Sequence, residues 1–161
     1  MAELARRREV AVGELECNAR VGGDRELLLA APQTFMNRSG YAVRCLIERH
    51  GIAVEEVLVA YDDVNLPLGR LRLRRSGSPG GHRGMESVIA SLRTEEVARL
   101  RMGVAGGPDG APAGDALVEY VLAPFAPEEG EAVAAMLQRA ADACESWLME
   151  GPEVAMNRHN G

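Results

Sequence analysis

Between Val57 and Leu92 the apolar pattern changes period twice. Val57 to Tyr61 is a continuously apolar run, the pattern of a strand buried on both faces, and it ends in Asp62-Asp63. From Gly69 to Arg75, Leu71 and Leu73 alternate with Arg70, Arg72 and Arg74, which predicts a half-buried strand with one basic face. Met85, Val88, Ile89 and Leu92 then recur at the spacing of one helical face, after a glycine-rich loop from Ser76 to Gly84. Strands alternating with helical segments specify an α/β fold: a single domain with a mixed, mostly parallel sheet flanked by helices.

The flanking sequence fits that frame. Met1 to Arg8 reads as the end of a helix, because good helix formers run from the first residue with no Ser, Thr, Asp or Asn cap. Strands are expected near Val12 to Arg20 and Glu26 to Ala30, joined across Gly22-Gly23-Asp24. A loop from Pro32 to Gly40 leads to a helix ending at His50 with Gly51 as its C-cap. Arg99 to Ala105 reads as another strand, Gly106 to Gly114 as an exposed loop, and Leu117 to Leu122 as a short apolar segment. Pro127-Glu128-Glu129 opens a long helix whose core stripe is Val133, Met136, Leu137, Ala140, Cys144, Trp147 and Leu148.

A chain of 161 residues can bury one core unaided, so a single domain over 1–161 is expected. No apolar stretch approaches the roughly 20 residues of a membrane span, and Glu9 follows Arg6, Arg7 and Arg8 where a signal peptide would turn apolar. A cytoplasmic location and no membrane partner are therefore expected. Cys17, Cys45 and Cys144 show no paired spacing and read as small core residues. The net charge of -6 argues against indiscriminate nucleic-acid binding, yet all 18 basic residues are arginine, and Val64 to Met85 holds five of them with no acidic residue. Arginine's planar fork suits phosphate; a solvated strand face is the plain alternative.

Three polar clusters lie at strand ends or strand-to-helix loops, where α/β folds place ligands. In Pro32-Gln33-Thr34-Phe35-Met36-Asn37-Arg38-Ser39-Gly40, the aromatic ring can stack on a base and the Asn37 amide can both donate and accept, unless Asn37 or Ser39 only caps the helix. In the second, Tyr61-Asp62-Asp63-Val64-Asn65-Leu66-Pro67, a carboxylate at a buried strand end can orient an imidazole, while neighbouring carboxylates on opposite faces cannot easily share one metal ion. In Ser76 to Gly84 the glycines let amides approach an anion, but the spacing fits neither a Walker loop nor a dinucleotide fingerprint; His82 is a base, a ligand or a structural histidine.

In order and spacing, these clusters resemble the segments Pro-x-Thr-Phe-Met-Asn-x-Ser-Gly, His-Asp-(Asp/Glu)-x-Asp-Leu-Pro-x-Gly and Gly-Gly-His-Asn-Gly of bacterial-type peptidyl-tRNA hydrolases. Leu100 to Val104 and Ala155 to Arg158 are similar to that family too. The resemblance implies hydrolysis of the ester between a peptide and the 3′ ribose of tRNA, recycling tRNA for translation, without metal or cofactor and with no oligomer required. It implies that Phe35, Asn37, His82 and Arg83 contact substrate, that Asp62 holds the catalytic base, and that Arg70, Arg72, Arg74 and Arg75 contact tRNA phosphates.

The family's Gly-Asn-Pro-Gly and Thr-Arg-His-Asn segments, the second of which carries its histidine base, do not occur before Met1. The resemblance therefore implies a chain lacking the first strand and inactive as it stands. Tyr61 stands where the family has histidine, Asn65 where it has aspartate, and Arg83 where it has asparagine. Two other readings compete: a non-catalytic RNA-binding relative, and a small-molecule hydrolase using His82 and Asp62.

Overall fold

In the computed structural model, which describes residues 1–106, 110–112, 114 and 116–161, the chain packs as two compact units. One comprises Met1–Val57 and Ser76–Ala98, the other Leu58–Arg75 and Arg99–Gly161.

The first unit opens with α1 (Ala2–Arg7), which has no side-chain cap at its start. Its Glu3 carboxylate accepts from the Arg6 and Arg7 guanidiniums at 2.6–3.0 Å, and these bonds hold its pKa down at about 2. Strands β1 (Glu14–Glu16), β2 (Ala19–Gly23) and β3 (Leu28–Pro32) form an antiparallel meander.

The strand expected over Val12 to Arg20 is broken by a turn, and the expected turn before the next strand begins at Asp24, whose N–H bonds the Leu27 carbonyl. Cys17 and Asn18 are both left-handed, at φ 51° and 57°, the conformation of a type I′ turn. Gly22 and Gly23 lie within β2 instead, where a Cβ would stand 1.9 Å from the Ala11 carbonyl oxygen and 2.0 Å from that of Leu27. Those glycines serve close backbone approach, a use that composition alone does not distinguish from a turn.

Helix α2 (Ser39–His50) closes at Gly51, φ 66°, whose N–H bonds the Ile47 carbonyl, as its C-cap glycine predicted. A disulfide joins Cys17 to Cys45 and ties the hairpin turn to this helix. That corrects the reading of the cysteines as core residues: the partners stand 28 residues apart in no motif, and only the fold brings them together. Cys144 remains a thiol, and burial pushes it up to about 11. Ala19, Val21, Ala42 and Leu46 form the core beneath the meander, while Met85 and Val88 are the buried face of α3 (Arg83–Leu92).

In the second unit β4 (Leu58–Pro67), β5 (Leu71–Arg74) and β6 (Ala98–Ala105) lie in the order β4-β6-β5, with β5 and β6 antiparallel. Helices flank mixed strands, as the α/β class requires. The strands are shared between two three-stranded sheets, and the β1–β2, β2–β3 and β5–β6 pairs run antiparallel, a larger antiparallel share than the sequence pattern led us to expect. A two-residue turn such as Cys17-Asn18 can join only antiparallel neighbours.

Alternation in β5 is realised residue by residue: Leu71 and Leu73 are buried, Arg72 and Arg74 exposed. The leucines pack with Leu100 on Met136, Ala140 and Ala143 of α5 (Gly130–Glu150) and Ala155 of α6 (Pro152–His159). Leu137 and Leu148, expected in the α5 stripe, are 45% and 36% exposed, while Ala141, Ala143 and Ser146 are buried, so the buried face is rotated toward small residues. The apolar segment at Leu117 lies in a helix, α4 (Ala116–Leu122). The expected loop before it falls partly on residues 107–109 and 113, outside those described.

The tail completes β5. Gly161 exchanges two backbone bonds with Leu71 at 3.1 and 3.2 Å, and the Asn160 side-chain oxygen accepts from the Leu73 N–H at 2.6 Å. His159 bonds Ser146 at 2.9 Å, and Arg158 grips both Glu150 oxygens.

Reducing the Cys17–Cys45 bond frees a loop closed across 28 residues. Chain entropy puts the loss at about 3–4 kcal/mol. Urea unfolding with and without dithiothreitol is expected to show that difference, and Cys45→Ser to abolish it.

Candidate functional site

The first and third polar clusters meet in the first unit. Phe35 enters a one-turn 3-10 segment, Met36–Arg38, that runs directly into α2 and packs against α3. Gly40 makes this possible: its N–H donates to Ser87 Oγ at 3.0 Å, and a Cβ there would stand 2.0 Å from the Ser87 carbonyl oxygen. Gly84, at the start of α3, likewise leaves room for Met36, whose sulfur would lie 2.5 Å from a Cβ.

The result is an open groove of about 1190 Å³, lined among others by Asn18, Gln33, Thr34, Phe35, Asn37, Arg38, Tyr41, Ser87 and Ser91. Phe35 is 80% exposed and Tyr41 59% exposed, unusual for large rings in a monomer's own packing. Asn37 and Arg38 are exposed with no side-chain hydrogen bond or ion pair among the described residues. Neither Asn37 nor Ser39 caps α2, whose first residue is Ser39 and whose N-cap position makes no side-chain bond. Thr34 Oγ1 is buried with no hydrogen-bond partner among the described residues.

His82 is the N-cap of α3, its Nδ1 accepting from the Met85 N–H at 3.1 Å. A neutral imidazole that accepts at Nδ1 carries its proton on Nε2. Arg83 follows as the first, exposed residue of α3. The other two histidines are engaged as well, His50 with Glu16 at 2.9 Å and His159 with Ser146.

The second cluster belongs to the second unit, and strand alternation separates its carboxylates. Asp63 is buried and forms an ion pair with Arg101, and it also accepts from the Asn65 N–H at 2.8 Å. Burial pushes its carboxyl up, but the Arg101 and Asn65 bonds prevail and hold it below the ordinary range. Asp62, half-buried, lines a cavity of about 260 Å³ with Val104, Tyr120, Val121, Phe125 and Glu129, and has no side-chain bond among the described residues. Tyr120 fixes one wall: its hydroxyl donates to the Val104 carbonyl at 2.8 Å and accepts from the Gly106 N–H at 2.7 Å. Tyr61 is buried, and that burial raises its hydroxyl pKa, so at neutral pH it is a phenol.

On the basic strand Arg72 lies opposite Arg101 and Arg74 opposite Arg99. Like charges directly across a ladder are destabilising unless compensated. Asp63 takes Arg101, and Arg75 has Glu153 at 3.9 Å, but exposed Arg70 and Arg72 have no ionic partner among the described residues. Among the described residues no three His, Cys, Asp or Glu side chains group as metal ligands, and no helix is long and apolar enough to cross a membrane.

Phe35 and Asn37 thus share one groove; His82 and Arg83 start the helix against which the Phe35 turn packs; Asp62 and the arginines of β5 lie in the other unit. Sequence reasoning missed Asn18, Tyr41 and the Asp63–Arg101 pair, and named Thr34 and Arg38 only as members of the first polar cluster. The signal for Tyr41 was an aromatic on the outward face of a helix; for Thr34 there was none, since an orphan hydroxyl exists only in three dimensions.

Comparison with known proteins supplies the frame. The peptidyl-tRNA hydrolase family model matches residues 1–161. Peptidyl-tRNA hydrolases of Lachnoclostridium phytofermentans and Dehalococcoides mccartyi are 42% and 38% identical, aligned over 89% and 99% of this chain and 73% and 86% of their own lengths. That of a Synechococcus strain is 49% identical over 87% of this chain and 60% of its own. A crystal structure of a peptidyl-tRNA hydrolase complexed with N-propanol superposes at a TM-score of 0.88 with 25% identity, over 99% of this chain and 82% of that one. The peptidyl-tRNA hydrolase structure from Acinetobacter baumannii gives the same score at 24% identity and attests the fold. None of these matches supports the expectation of an inactive chain.

Asp63→Asn leaves Arg101 without its counter-charge in a site where the two side chains are 7% and 23% exposed. The expected loss is about 2–4 kcal/mol at neutral pH. Because the folded carboxyl is depressed, the pair's stabilisation is present above the unfolded value of about 4 and fades as pH falls through the lower folded one. Urea midpoints of wild type and variant, well separated at pH 7, are expected to converge in acid.

Proposed function

Because this chain belongs to the peptidyl-tRNA hydrolase family, we propose that it recognises peptidyl-tRNA in the cytoplasm and serves hydrolysis of the ester joining the peptide to the 3′ ribose. The observation that carries this reading is the groove in which the 80%-exposed Phe35 stands beside the unpartnered amide of Asn37. An exposed ring offers a stacking platform for an unpaired base, and an amide can satisfy a ribose or peptide group. Arg83 meets phosphate as a fork where an asparagine would have read an amide edge. Arg70, Arg72, Arg74 and Arg75 hold phosphates on and beside β5.

Asp62 is the carboxylate of the reaction. It lies beside a cavity without a committed partner, whereas Asp63 is consumed by Arg101. Its role is to orient an imidazole and stabilise its charged form. Of the histidines here, His50 bonds Glu16, His159 bonds Ser146, and His82 caps α3 through Nδ1. His82 contacts substrate from the N-cap of α3. The chain works as one domain and needs no metal, cofactor or second copy.

Filter binding of tRNA is expected to weaken steeply with salt, and Arg72→Ala to reduce the slope of log K against log salt by about 0.7–0.9. Rapid turnover of N-acetylaminoacyl-tRNA abolished by His82→Ala would overturn the reading of His82 as a contact alone, and salt-independent binding would favour a small-molecule hydrolase.

A further inference from the structure

The groove in the first unit is larger than one base at Phe35 requires. Its far side is built from Asn18, Gln33, Arg38 and Tyr41, with Thr34 in its lining. Tyr41 gives a second exposed ring, Arg38 a cation with no partner among the described residues, and Asn18 a short amide at a turn pinned by the Cys17–Cys45 bond. The buried Thr34 hydroxyl lacks any partner among the described residues. A hydroxyl taken out of water and left unpaired is costly, and persists where a ligand atom completes it.

We propose that this half of the groove is a second nucleotide seat, for the unpaired nucleotide next to the one held at Phe35. The base lies on Tyr41, the Arg38 guanidinium takes the linking phosphate, and the Thr34 hydroxyl bonds the ribose 2′-hydroxyl, which makes Thr34 a determinant of RNA over DNA. Two aromatic platforms with one arginine between them in sequence suit a stretch of single-stranded RNA better than a peptide, which would leave the guanidinium unmatched. This inference rests on the assignment of Phe35 to the tRNA end.

The test uses the full 161-residue chain and a fluorescent ACCA tetraribonucleotide, with affinity read by anisotropy and folding by thermal melts. Phe35→Ala is expected to weaken binding about tenfold, and Tyr41→Ala by a similar factor. Arg38→Ala is expected to lower the salt slope by about 0.7. Thr34→Val, which removes an unpaired hydroxyl at nearly constant volume, is expected to leave the melting temperature unchanged or raised while erasing the preference for the ribo- over the deoxyribo-oligonucleotide. If Phe35→Ala weakens binding but Tyr41→Ala and Thr34→Val do not, the second seat is refuted and the Phe35 assignment stands. No effect of Phe35→Ala refutes both, as does displacement of the probe by an N-acetylated dipeptide alone.

Discussion

The groove of the first unit depends on one close backbone approach. Gly40 at the start of α2 meets Ser87 in α3 with no space for a Cβ, and its N–H is satisfied by the Ser87 hydroxyl. That approach answers a standing problem of helix starts, whose leading N–H groups lack intrahelical partners. It also fixes where the preceding turn leaves the helix, and therefore where Phe35 and Asn37 stand. An aromatic ring held in water gains nothing for folding, so its position has to be imposed by neighbours that do pack. Met36 against Gly84 and Gly40 against Ser87 are those neighbours.

The second unit uses the strand period to the same end. Leu71 and Leu73 are fixed by the core they share with α5 and α6, and the alternation then leaves Arg72 and Arg74 no freedom to turn inward. The tail adds to this by covering the outer edge of β5, through Gly161 on Leu71 and Asn160 on Leu73. An edge strand with unpaired backbone groups invites non-native pairing, and here those groups are occupied. The basic face is thus rigid because the opposite face is apolar.

Period was legible in the sequence, and so were the elements and surfaces that period dictates: β5, the long helix α5, the C-cap at Gly51, and the division of Asp62 and Asp63 between opposite sides of β4. What was not legible depends on partners far apart in the chain. The Cys17–Cys45 bond, the salt bridge between Asp63 and Arg101 and the neighbours of Gly22 are all set by tertiary proximity. The rotated face of α5 belongs to the same class. Leu137 and Leu148 outrank Ala143 and Ser146 in apolarity, yet the small residues let α6 approach and its Arg158 and His159 reach Ser146.

His82 shows how local structure decides chemistry. A histidine in a glycine-rich loop ahead of a helix invites assignment as a base, but the same position is an N-cap, and here its side chain accepts from the backbone. Acceptance at Nδ1 places the proton on Nε2 and leaves the ring able only to donate outward in its neutral form. Protonation would turn Nδ1 into a donor facing the Met85 N–H, so charging the ring sacrifices the cap. The helix start therefore fixes which imidazole nitrogen the backbone occupies and which one carries the proton of the neutral ring.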